Sequence, residues 1–188
     1  MTLPLSWARD FFSGKEAAAS STKGWNCILP KLAWKAKEVK LRQLLAERPD
    51  QKIPELGLLD DRTFLDVARD ANLDTEDGIR TALSRLRHIA ENQLASMLQP
   101  ALQQWYYTQG NEGHAPQSVA QLAAYIDPPI DNSIFERYEI LNTGTNVAGG
   151  WRGGWVISQK KAVDADYDRR WLISPVGFGP QNFKASGQ

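Results

Sequence analysis

Three carboxylates at alternate positions, Asp164, Asp166 and Asp168 in "DADYD", are the residues best spaced for chemistry. In an extended segment a period of two sends all three to one side. There they repel one another unless a cation sits among them. Calcium takes hard oxygen ligands of this kind, which makes Asp164, Asp166 and Asp168 a candidate calcium site. The glycine and distal glutamate of an EF-hand loop are missing, and Arg169 and Arg170 follow at once. A charged turn neutralised by those arginines is the preferred reading, with calcium as its alternative and no other cofactor expected.

Catalysis is not expected. His88 and His114 are the only histidines, and no HExxH, Walker, GxSxG or dinucleotide fingerprint is present. No catalytic residue is therefore assigned. "AGGWRGG" at 148–154 is glycine-rich, but it lacks the strand-to-helix setting and the Lys-Ser/Thr end of a phosphate cradle, so it reads as a hairpin loop.

A third constellation is basic. Residues 61–87 fit a helix-turn-helix in which Arg80, Arg85 and Arg87 would reach nucleic acid from the second helix. The first helix and the turn are strongly acidic, which repels DNA, so two packed helices with solvated outer faces are the preferred reading.

Bulk charge gives no reason to expect nucleic acid as a partner, because Lys plus Arg and Asp plus Glu both number 22. The distribution is uneven: residues 1–50 carry nine basic and five acidic side chains, 51–140 seven and fourteen, and 141–188 six and three. Mutual neutralisation in the folded protein is the expected outcome. Cys27 is the only cysteine, which excludes a disulfide framework and a cysteine-rich zinc site. No run approaches the roughly 18–20 apolar residues of a membrane span. As written, the chain is expected to be soluble and leaderless.

Several elements must hold these residues. The first 30 residues read as short aromatic-docked turns joined by the polar connector "AAASSTKG", and Pro30 then precedes the basic amphipathic helix "KLAWKAKEVKLRQLLAER". Asp60 or Asp61 can cap a helix carrying Phe64 and Val67, and Asp74 or Thr75 can cap the next. From there Ile79, Leu83, Leu86, Ala90, Leu94, Met97, Ala101 and Trp105 recur at three- and four-residue steps, one long apolar stripe. Pro100 predicts a kink in it or two abutting helices. Gly110 and Gly113 end the helix, and a short helix follows from Ser118 to Tyr125. After Arg137, "RYEILNTG", "GWVISQKKAV" and "RRWLISPVG" alternate as antiparallel strands. They would turn Tyr138, Ile140, Trp155, Ile157, Trp171 and Ile173 toward the long helix.

The helix end and connector, "ALQQWYYTQGNEGHAPQSVAQLAAYI", resemble the helix-to-loop junction of type IV pilin and type II secretion pseudopilin headgroups. The matching positions are Ala101, Leu102, Tyr106, Gly110, Gly113, Pro116, Leu122 and Tyr125. The likeness spans residues 79–188 and leaves out the apolar N-terminal helix of those families. It implies a long helix laid on a small antiparallel sheet and work through protein partners. It also implies a cell-envelope or periplasmic location if an anchor is missing, and lends support to calcium in a late loop.

The expectation is an α+β protein: a helical N-terminal region at 1–75, then a headgroup-like domain at 76–188 with a long kinked central helix on a C-terminal sheet of three or four strands. Its expected function is that of a non-enzymatic structural or protein-interaction protein with protein partners. The alternative is the nucleic-acid binder using 61–87.

Overall fold

The computed structural model of the chain describes residues 18–108, 111, 114–141 and 154–181, with side chains from Leu32 onward. The expectations for the first 17 residues, for the side chains of Trp25 and Cys27, and for most of "AGGWRGG" lie outside the described residues. Three α-helices come first: α1 (Ala18–Ala46), α2 (Asp61–Asp70) and α3 (Glu76–Tyr107). Four short strands close the chain: β1 (Tyr138–Ile140), β2 (Ile157–Gln159), β3 (Arg170–Ser174) and β4 (Gly177–Gln181). This is an α+β fold in which a long helix packs on a small antiparallel sheet.

Helix α1 starts earlier than the sequence suggested, because it runs through Pro30 and takes in much of the expected connector. Ala18 and Ala19 favour helix at its start, and Pro30 removes only one amide donor from a 29-residue element. The next two helices begin on side-chain caps. The Asp60 carboxylate accepts from the Thr63 amide at 2.8 Å, and the Thr75 hydroxyl accepts from the Gly78 amide at 3.2 Å. Both satisfy amides that the first turn would leave orphaned. Glu76 and Asp77 complement the positive end of α3. The helix continues unbroken past Pro100, so the long stripe is one element and not two.

Two cores share α3. Its first half, at Ile79, Leu83, Leu86 and Ala90, packs with Leu41 and Leu45 of α1, Phe64 and Val67 of α2, and Ile53 and Leu56. Its second half, at Leu94, Leu98, Ala101, Leu102 and Tyr106, packs on Val119, Leu122, Phe135 and the sheet residues Val156, Ile157, Trp171 and Ile173. Residue 76 is the start of α3, but the change of core falls between Ala90 and Leu94.

The sheet is an antiparallel meander in the order β1-β2-β3-β4. Ile157 lies opposite Ile140 and Ile173, which stacks apolar side chains across three strands. Trp155 is only half-buried and lies before β2, and Val156 takes the core position instead. The sequence reading named three strands and allowed a fourth, and that fourth is β4. Its "GFGPQ" hides the alternation, and Pro180 is tolerated because β4 is an edge strand. Between α3 and β1, Val119–Tyr125 and Asn132–Arg137 form 3-10 helices. The Gln121 side chain accepts from the amides of Gln117 and Ser118, fixing the start of the first of these.

Candidate functional site

A polar stripe runs beside the apolar one on α3: Arg80, Ser84, Arg87 and Glu91, at steps of four, three and four. That spacing keeps them on one face, and the face meets the "DADYD" loop and the sheet. Arg80 reaches Asp164 with two bonds, Nε to Oδ2 at 2.9 Å and Nη2 to Oδ1 at 2.8 Å, and holds Asp166 at 2.9 Å. Its guanidinium also lies 4.4 Å from the centre of the Tyr167 ring, and the Tyr167 hydroxyl donates to Asp77. Two turns on, Arg87 grips Asp168 through Nε and Nη2, both at 2.9 Å. Asp168 further accepts from the Ser84 hydroxyl at 2.6 Å and the Asp164 amide at 2.9 Å.

The three aspartates are thus neutralised by arginines 77 or more positions upstream, in place of Arg169 and Arg170 as the sequence suggested. Arg170 instead bonds the Gln159 carbonyl and Glu139. The Arg80 bonds hold the Asp164 carboxyl below its ordinary value, against the smaller opposing effect of burial. Among the described residues no group of His, Cys, Asp or Glu is arranged to hold a metal ion. Of the three arginines expected to read nucleic acid, two are spent in this clamp, and Arg85 lies 3.8 Å from Asp70.

The basic face of α1 is used in the same way. Lys37 bonds the carbonyls of Arg69 and Ala71 at the negative end of α2. Lys40 pairs with Asp74, Arg42 with Asp61, and Arg48 with Glu76. The basic N-terminal stretch and the acidic middle therefore neutralise one another across helix contacts.

A second, deeper cluster has no counterpart in the sequence reading. Glu55, in the 3-10 helix Pro54–Leu58, is completely buried, and Glu91 is 2% exposed. Both carboxylates bond one guanidinium, that of Arg137, at 2.5 Å and 3.2 Å. The Gln159 amide donates to Glu91 at 2.6 Å. Burial pushes the Glu91 carboxyl up to about 7, with Arg137 opposing and Glu55 adding to the shift. Among the described residues, Glu55 Oε1 and the Tyr138 hydroxyl have no well-aligned hydrogen-bond partner. Burial, and then the facing Glu55 carboxylate, hold the Tyr138 phenol well above its ordinary value.

The segments that carry this cluster also wall a cleft of about 690 Å³. Pro54, Gly57 and Leu58 form one side, Gln93, Ser96 and Met97 of α3 the floor, and residues 127–131 with Ile134 the other side. Its apolar groups include three prolines and the conformationally adaptable Met97. The charged residues lining it are Asp127 and Asp131, both acidic. His88 and His114 lie elsewhere: His88 stacks on Trp171 with centroids 5.0 Å apart, and His114 sits in the connector, where its carbonyl accepts from Trp105.

No protein-family model, curated protein or solved structure matches the chain, so its function is argued from this geometry.

Proposed function

We propose that the protein is a non-enzymatic interaction protein, pilin- and pseudopilin-headgroup-like in its C-terminal half, that works by binding a protein partner. The observation that carries this reading is the packing of Leu94, Leu98, Ala101 and Leu102 of α3 on one face of a four-stranded antiparallel meander. The folded-back connector at 108–137 then becomes a structural corner. Chemistry-bearing side chains are bonded to one another: Arg80 and Arg87 hold carboxylates, and Asp164, Asp166 and Asp168 are held by them.

Among the described residues, the acid-rimmed cleft is a surface open to a partner. Its apolar walls suit an aliphatic or aromatic anchor, and Asp127 and Asp131 suit a lysine or arginine beside that anchor. A partner segment that combines an apolar residue with a basic one fits it.

Cell fractionation of the tagged protein with protease protection tests the headgroup reading. Envelope association is the expected result. A purely cytosolic protein would remove any role in a pilus or secretion filament.

A further inference from the structure

We propose that Glu91 carries a proton in the closed protein, and that release of this proton loosens the walls of the acid-rimmed cleft. The proposal rests on reading that cleft as the contact surface, and it adds the regulation of the site.

Charge counting carries the argument. Two enclosed carboxylates face one guanidinium, since both Glu55 and Glu91 bond Arg137. The remaining groups around Glu91 do not restore balance. Gln159 of β2 is neutral, and Asp168 from the loop before β3 adds negative charge. Arg87 of α3 is committed to Asp168. Tyr138 of β1 can give only a neutral hydroxyl to Glu55. An unpaired buried carboxylate is relieved most cheaply by binding a proton. Of the two, Glu91 is the one that burial pushes toward the neutral form.

Geometry connects this proton to the cleft. Glu55 sits between Pro54 and Gly57, Arg137 ends the 3-10 helix that contributes Ile134, and Glu91 precedes Gln93 on α3. When the pair is fully ionised, repulsion between Glu55 and Glu91 pushes the Pro54–Leu58 segment away from α3. Opening that segment lets water reach both carboxylates.

The sign follows from linkage. Glu91 has a folded value of about 7 against an ordinary 4.5, so the closed state binds more protons than the open one between these limits. Closure is therefore tightest in acid and is lost as pH rises toward 7, opening becoming easier by roughly tenfold per pH unit and about 300-fold in all. Above that window the profile is flat. The lowered carboxyls of Glu38 and Asp164 act in a separate window, below their ordinary values.

Hydrogen exchange of the free full chain tests this at the Leu56 and Leu59 amides, which bond the carbonyls of Ile53 and Leu56. After correction for intrinsic exchange, protection at these amides should fall by up to about 300-fold from pH 4.5 to pH 7. It should be nearly flat in Glu91→Gln. A flat wild-type profile, or the wild-type slope retained in Glu91→Gln, overturns the proposal. Should the variants not fold, the infrared band of a protonated carboxyl in the wild-type chain decides. It should be present at pH 6 and vanish above pH 8, and its absence at pH 6 overturns the proposal. Peptide binding is a separate readout: a chain with this pH profile that binds nothing in the cleft refutes the contact reading, while a flat profile in a chain that does bind refutes the proton on Glu91.

Discussion

Arg87 and Asp168, 81 positions apart, form an enclosed two-bond ion pair with side chains 1% and 3% exposed. It fastens the loop before β3 to the first half of α3, and so ties the sheet to the helical region. A buried pair of this kind adds little net stability relative to apolar packing, but breaking it on one side strands a charge. Arg87→Met should cost about 3–5 kcal/mol in chemical unfolding. Arg87→Met combined with Asp168→Leu should recover most of that loss. A double variant as unstable as the single one would show that the loop is held by something else.

Gly78 marks the corner between α2 and α3. A Cβ built there would lie 2.0 Å from the Asn72 carbonyl oxygen. Gly78→Ala must therefore push the turn away from the helix start, and should destabilise by about 1–3 kcal/mol, as overpacking does. An alanine variant with an unchanged denaturation midpoint would contradict this packing.

The clamp also bears on calcium and nucleic acid. A ligand raises Tm only if it binds the folded state, and calcium would have to displace Arg80 from Asp164 and Asp166. Calcium should leave Tm unchanged, and the protein should show no salt-dependent DNA affinity while Arg80 and Arg87 are bonded internally. A calcium-dependent rise in Tm would restore the metal reading of the aspartates.

Burial of Leu98 against the sheet core gives a further test of the α3–sheet packing. Leu98 is fully buried, and Leu98→Ala should cost about 2–5 kcal/mol through lost burial and the cavity left behind. Met97→Ala, one position away and only partly buried, should cost distinctly less. Equal costs would mean that the stripe is placed one residue off.

That comparison shows where the sequence was readable. The stripe at Ile79, Leu83, Leu86 and Ala90 and the caps at Asp60 and Thr75 were legible because periodicity and capping are local. Farther along α3 the fully buried positions are Leu98 and Tyr106, with Met97 and Trp105 only partly buried beside them, because this half faces the sheet core and not α1 and α2. Strand β4 was hidden by two glycines and a proline, and the start of α1 by Pro30. The arginine–aspartate clamp joins residues some 80 positions apart, so neither motif announced the other. Arg80, Ser84, Arg87 and Glu91 did share one helical face, which was the available signal. Glu55 offered none: a single glutamate after a proline looks like any exposed turn.

The central claim is that the acid-rimmed cleft is where a protein partner binds. Photo-cross-linking in the native cell, with a reactive side chain at Met97 in the full chain and a control at the exposed Arg62, tests it most directly. A discrete protein adduct from position 97, absent from position 62 and lost on adding Asp127→Lys, is the predicted result. No adduct from position 97, or the same adducts from both positions, would contradict it.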